Sequence, residues 1–340
     1  MRSPLLDTPG AVAAEAPDET IAAHYGEPYA EQRALAAGQA LVDRSDREVV
    51  RISGPDRLSW LNDLSSQKLD KLAPGVPAQT LLLDLQGRVE HHLTLVDDGE
   101  AVWAHVEPGT SAELVAYLEK MRFMLRVEVA DVTAEYAVVS VAAPDADPVA
   151  EPGEGMIAIG GDFLVPRERL ANLPAELGLR PAGLWAYEAL RIEAHVPRLG
   201  FETDHKAIPH EVGWIDQAVH LSKGCYRGQE TVARVHNLGH PPRRLVFLHL
   251  DGSVDALPPH GAPVTLGVGA EAEGTAEVGF VGSSARHHEL GPIALALVKR
   301  TVPVDADLLA GGVAATQEVI VPPDAGRNVK IDPALRRRIR

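Results

Sequence analysis

"KGCYRGQETVAR", Lys223–Arg234, holds the only cysteine among 340 residues. Gly224 and Gly228 flank Cys225 and permit backbone conformations closed to other residues, or close approach of a ligand. Lys223 and Arg227 place positive charge beside the thiol. "QETVARV" after Gly228 reads as a helix start whose free N–H groups point back toward the turn, and both features stabilise a thiolate. A small buried thiol filling a packing gap is the other reading, and the residues alone leave both open. Between Lys223 and Arg244 stand Lys223, Arg227, Arg234, Arg243 and Arg244 against one acid, Glu230. In a chain of net charge −16, that excess is either a local site for a small anion or a solvated face.

Upstream, "GLWAYEALRIEA" (183–194) predicts a helix with Trp185, Ala189 and Ile192 on one face. Glu188, Arg191 and His195 fall opposite, at a spacing that suggests a surface ion pair. Two prolines punctuate the connection through "IPHEVGW" (208–214) to the cysteine turn. Downstream of about residue 242, "RRLVFLHLDG", "APVTLG", "AEVGFVGSSA" and "PIALALVKR" are short apolar runs broken by Gly and Pro, which predicts a small β-barrel or sandwich. Nearer the start, "EVVRIS" reads as a strand and "DRLSWLNDL" as a helix entered through Gly54-Pro55. "QTLLLD" and "VEHHLTLV" form a hairpin around Leu85–Arg88, and "AVWAHV" is a further strand. "SAELVAYLEKMRFML" is a helix with Leu114, Leu118, Met121 and Leu125 on one stripe. "EYAVVSVAA", "MIAIGG" and "FLVP" predict a second set of strands, followed by a helix in "RERLANLPAEL". The fold class is therefore α+β with several domains. We set their expected boundaries at 1–20 (a loose leader), 21–132 and 133–241 (two α+β domains), 242–325 (the barrel) and 326–340 (a basic tail).

Composition narrows function. Forty-eight Asp and Glu against 32 Lys and Arg repel phosphate backbones and anionic membranes, so neither nucleic acid nor membrane is an expected partner. One cysteine cannot form an internal disulfide or a four-thiolate cluster site. No apolar run reaches membrane-spanning length, and the N-terminus lacks a signal-like apolar core; a cytoplasmic monomer is the expectation. The 14 histidines fall in no metal-binding spacing, so no metal site is expected.

"ALRIEAHVPRLG", "IPHEVGW" and "KGCYRGQETVAR", in that order, resemble the YgfZ family of folate-binding proteins. That family is related to the glycine-cleavage aminomethyltransferase, the T-protein. The likeness extends through "VVRISGPDRLSWLNDL" and "LLLDLQGRV" near the start and "EVGFVGSSA" and "GPIALALVKR" near the end. It implies a cloverleaf of two α/β sandwich-type domains and a β-barrel around a central cavity. It further implies binding of tetrahydrofolate or a one-carbon derivative. The role implied is assembly or repair of iron–sulfur proteins, tRNA-modifying enzymes included, with those proteins or their assembly factors as partners. By the same resemblance Glu211 is the pterin-reading carboxylate, and Tyr187, with Trp185 beside it, is the aromatic contact. Arg191, Arg227, Arg243 and Lys223 are candidates to hold folate, the latter three at its anionic tail. Cys225 with Lys223 is the functional centre of a motif completed by Gly224, Tyr226, Gly228, Gln229 and Glu230. Two departures stand out. Some relatives carry a tryptophan where this chain has Arg47. T-proteins also use an aspartate that "AVWAHVEPGTSAEL" does not match, and Glu113 nearby is not assigned its role. Classical aminomethyl transfer is therefore the alternative reading, and a folate-free thiol or docking module a third.

Overall fold

The computed structural model describes residues 1–144, 146, 152–267 and 276–328. Three units make up the fold. The first is an antiparallel sheet whose strands run, edge to edge, Pro77–Leu83, Val89–Asp97, Ala101–Val106, Glu48–Ser53 and Glu128–Asp131. Helices Arg57–Leu64 and Ser111–Met121 bury Trp60, Leu61, Leu114 and Leu118 against it. The predicted stripe ends one turn early. Phe123 takes a left-handed φ of 49° and stands exposed with Met124, which takes Leu125 off the helix face.

The second sheet runs Ile157–Ile159, Asp162–Pro166, Tyr136–Ser140, Ala40–Asp43 and Arg180–Ala182, the last pair parallel. Strand Ala40–Asp43 precedes the whole first sheet in sequence yet pairs with Tyr136–Ser140. The unit expected at 133–241 is thus discontinuous, and the first sheet begins at Glu48, not near residue 21. Spacing alone does not show which distant strand completes a sheet. The expected helix at 167–177 is broken into a 3₁₀ turn, Arg167–Arg169, and helix Leu173–Leu177, with Pro174 in the first turn of the latter. The expected loose leader is ordered: Ser3 and Asp18 are buried, and Val12–Ala13 pairs with Ala22–His24.

The third unit is a closed six-stranded barrel of Arg243–Leu250, Gly291–Lys299, Glu277–His287, Pro263–Leu266, Leu308–Ala310 and Val313–Val319. Closure leaves no free sheet edge. Residues 329–340, most of the basic tail, lie outside the described residues. Leu81, Leu83 and Val89 of the first sheet pack in one apolar cluster with Ala189 and Ile192 of helix Leu184–Glu193. Trp214, Tyr226 and Val232 join them, together with Leu245, Phe247, Leu295 and Leu297 of the barrel. Helix Leu184–Glu193 packs on the second sheet as well, Ala186 and Leu190 against Ala40, Val42 and Ala182, and so joins both sheets to the barrel. Among the described residues no helix is long and apolar enough to cross a membrane.

Candidate functional site

The cysteine motif is a fastening strap. The Lys223 ammonium donates to the carbonyls of Asn62, Ser65 and Gln67, closing the C-terminal end of helix Arg57–Leu64. A cation there satisfies carbonyls that the helix cannot pair itself. Tyr226 is buried in the junction core, with Lys223 Nζ 5.0 Å from its ring centroid. Gly228, at φ 83°, lies against the Leu85–Arg88 turn, where a Cβ would come within 2.6 Å of the Asp84 carbonyl oxygen and 2.9 Å of Gly87 Cα. Only glycine fits that approach. Arg227 pairs with Glu90 at 2.8 Å on the surface. The predicted helix follows as Gln229–Asn237, with Glu230 in its first turn, where a carboxylate complements the dipole. Its first N–H groups go elsewhere: Gln229 N–H donates to the Tyr226 carbonyl and Thr231 N–H to that of Gly228. Cys225 and Gly224 are left exposed, so the thiol is not a gap-filler, and it does not line the central cavity.

Glu211 is also placed otherwise than expected. It is wholly buried, with Arg243 donating to both of its oxygens at 2.9 and 2.8 Å and Ile208 N–H donating at 3.2 Å. Arg243 holds Asp204 as well, at 2.7 and 2.9 Å. This three-member bridge ties the loop before the strap to the first barrel strand, and it commits Glu211 and Arg243 to each other. Neither lines the central cavity. The basic cluster disperses likewise. Arg244 is buried and donates to the Val302 carbonyl and the Gln317 side chain, and Arg234 is exposed.

The central cavity, about 500 Å³, is lined by side chains from both sheets and from helix Leu184–Glu193. Its wall carries Arg44, Arg47, Arg191 and Arg198 against Asp46, Glu107, Asp162 and Glu188, with Tyr187, His92, His105, Gln79 and Thr94 between them. Arg44 lies 4.1 Å from the Tyr187 ring centroid and donates to the Tyr187 hydroxyl at 2.7 Å. Burial pushes that phenol up to about 12, so it stays neutral. Arg47 donates to His105 Nδ1 at 2.8 Å and to Glu107. Arg198 donates to the other Glu107 oxygen at 2.8 Å. It also grips both oxygens of Asp18 at 2.9 and 2.6 Å, which anchors the N-terminal segment. Burial alone would raise Glu107, but Arg47 and Arg198 outweigh it and hold the carboxyl well below its usual range. Burial likewise opposes ionisation of Asp162, and Arg44, His105 and Ser140 reverse it. Burial pushes His92 down to about 3 and His105 to about 4. Both are therefore neutral, and Trp214 packs on His92 with centroids 4.7 Å apart.

Of the expected site residues, Tyr187 and Arg191 line this cavity; Glu211, Cys225, Lys223, Arg227 and Arg243 do not. The supposed surface pair Glu188–Arg191 is internal: Arg191 is 3% exposed and donates to Glu188, Glu202, Ser283 and the Val196 carbonyl. Its donors are spent on the protein, joining the helix to barrel strand Glu277–His287. Trp185 is not on the buried Ala189–Ile192 face but half exposed, stacked on His24 at 4.8 Å. It lines a separate, more apolar cavity of about 370 Å³ with Tyr29, Phe201 and Leu257. Asp46, His92, His105, Glu107, Asp162 and Arg198 were missed. His92 and His105 carried a sequence signal, histidine placed inside otherwise apolar strands, as in "AVWAHVEPG"; Asp46, Glu107 and Arg198 lie in turns and loops, where charge is ordinary.

A solved structure of the glycine cleavage system aminomethyltransferase T from Bartonella henselae superposes over 96% of this chain and 98% of its own, with a TM-score of 0.76 at 18% identity. The chain has the T-protein fold. A GCVT N-terminal domain model matches residues 8–154 of this T-protein-like chain. An aminomethyltransferase of Rubrobacter xylanophilus is 28% identical over 270 residues, covering 70% of this chain and 72% of that one. One from Saccharopolyspora erythraea is 27% identical over 310 residues, covering 80% and 82%. A putative chloroplastic transferase of Arabidopsis thaliana is 27% identical over 249 residues, 63% of this chain and 56% of its own length.

Proposed function

We propose that this T-protein-like chain binds tetrahydrofolate or a one-carbon derivative in the central cavity and, as in the YgfZ family it resembles, supports assembly or repair of iron–sulfur proteins. The observation that carries the folate reading is the cavity itself. It is a polar, charge-balanced hollow between the two sheets and helix Leu184–Glu193, with the neutral ring of Tyr187 and the neutral imidazole of His92 in its walls. A heterocycle rich in N–H donors and carbonyl acceptors suits that wall, and an aromatic face suits Tyr187. Support for the second half is the strap. Cys225 sits exposed and outside the cavity, which suits a partner-facing thiol better than a nucleophile acting on cavity-bound folate. The relatives named aminomethyltransferase favour the transferase reading as the second choice.

The test uses cells that lack their own family member. The wild-type chain is expected to restore the activity of iron–sulfur enzymes there, and Cys225→Ser to restore less while keeping tetrahydrofolate affinity unchanged. In vitro, tetrahydrofolate should raise the melting temperature saturably. Turnover of an aminomethyl donor with tetrahydrofolate, together with failure to rescue, would transfer the assignment to the transferase.

A further inference from the structure

The folate reading leaves the apolar cavity beside Trp185 unused. That hollow, about 370 Å³, lies where the N-terminal segment and the first turns of helices Pro28–Ala36 and Leu184–Glu193 meet barrel strand Glu277–His287. Its volume is in the range of pockets that take small molecules. Two of its rings are open to solvent: Trp185 is 51% exposed and Tyr29 45%. Apolar surface gathered in one open hollow marks a binding site more often than scattered exposure does.

The walls are pinned in place. Arg198 grips both oxygens of Asp18, which fixes the strip Ala14–Asp18 along one side. Gln32 donates to the Arg286 carbonyl at 2.8 Å and accepts from His288 N–H at 2.9 Å, tying helix Pro28–Ala36 to the barrel. His24 packs on the Trp185 ring, and His260 on Phe201 with centroids 5.1 Å apart. The charges of the wall are engaged as well. Asp18 pairs with Arg198, Glu188 with Arg191 and Arg286 with Asp255. Glu15 is exposed, where an ion pair is worth little. An ion entering this hollow would shed hydration without gaining a free opposite charge, whereas a neutral ring gives up only apolar contact with water.

We propose that this cavity is a second ligand site, taking a small, neutral, planar aromatic molecule whose ring packs against Trp185 and Tyr29. Stacked or edge-on contact with such rings adds to the apolar area they bury. The inference stands apart from the folate reading, and it gives Trp185 a ligand other than folate. Leu184, Glu188 and Arg198 line both cavities. The two hollows thus share a wall but differ in chemistry: one is studded with charge, the other faced with aromatic and aliphatic groups.

The experiment is isothermal titration of the full chain at neutral pH with probes that share one ring system. Indole is neutral, indole-3-acetate an anion, tryptamine a cation, and N-acetyltryptophanamide carries the ring on a peptide unit. Indole should bind saturably, and at least about fivefold more tightly than either ionic probe. Trp185→Ala should weaken indole about tenfold or more. Tyr29→Ala, at another half-exposed position, carries the test if Trp185→Ala does not fold. Saturating tetrahydrofolate should leave the indole affinity unchanged. No saturable indole binding, or binding that Trp185→Ala leaves intact, overturns the site. An ionic probe held as tightly as indole overturns the neutral class. N-acetyltryptophanamide binding more tightly than indole overturns the free ligand and makes the cavity a socket for a partner's aromatic side chain. Displacement of indole by tetrahydrofolate overturns the separation of the two sites. The folate reading survives each of these results.

Discussion

Tyr187 illustrates what single residues contribute and how far sequence could identify them. The resemblance points to it as a folate contact and it lines the cavity, but nothing in "GLWAYEALRIEA" shows that Arg44 covers one ring face and bonds its hydroxyl. The partner lies 143 residues away, and such pairings are set by tertiary structure. If the open ring face stacks on the ligand, Tyr187→Phe should keep tetrahydrofolate affinity within about threefold. Tyr187→Ala should lose about tenfold or more, since an aromatic contact is worth about 0.5–1.5 kcal/mol beyond its buried area. Equal losses in both variants, measured by titration, would assign the effect to the hydroxyl and its arginine instead. Glu211 shows the opposite case. Its residue type suited a pterin, and its surroundings, invisible in sequence, had already paired it.

The element scale explains why "KGCYRGQE" is so recognisable. Lys223 closes one helix, Gly228 starts another while touching a distant turn, and Tyr226 fills the core between them. These positions have packing reasons, so much of the motif reports architecture, while Gly224 and Cys225 stand exposed. The bridge Asp204–Arg243–Glu211 acts in the same way between the loop and the barrel. Glu211→Gln is expected to cost about 3 kcal/mol by leaving a buried guanidinium short of its partner, seen as a lowered melting temperature. Folate affinity of the folded fraction should stay at the wild-type value. A stable Glu211→Gln protein that no longer binds folate would return Glu211 to the site. Most strands and helices themselves were legible, because Gly and Pro punctuate alternating apolar runs. Helix ends were less so: the stripe through Leu125 ran past a left-handed residue, Phe123.

At the scale of the whole molecule, the barrel and the two-sheet architecture followed from texture and resemblance. The return of Ala40–Asp43 to the second sheet and the anchoring of the N-terminal segment did not, since both depend on contacts between distant residues. The assembled junction also sets the response to acid. Burial lowers His92 to about 3 and His105 and His210 to about 4, below the ordinary histidine value. As pH falls below about 6.5 the unfolded chain takes up protons that these folded histidines refuse, so stability is lost. Asp46, raised to about 7, works in the other direction, because the folded chain binds its proton first. His91, His195 and His287 are lowered in the same way, so the histidines outnumber the opposing carboxyls and stability is expected to fall as pH drops below about 6.5. Denaturant melts between pH 7.5 and 5 check this. Stability that holds constant down to pH 4.5 would mean that the cavity histidines charge freely and that the junction is open to water.

A crystal structure of the chain with tetrahydrofolate tests the central claim most directly. The pterin should lie in the central cavity with one face on Tyr187, Glu211 still paired to Arg243 and Cys225 outside. A ligand seated in the apolar cavity beside Trp185, or a central cavity left empty at saturating ligand, would contradict the account.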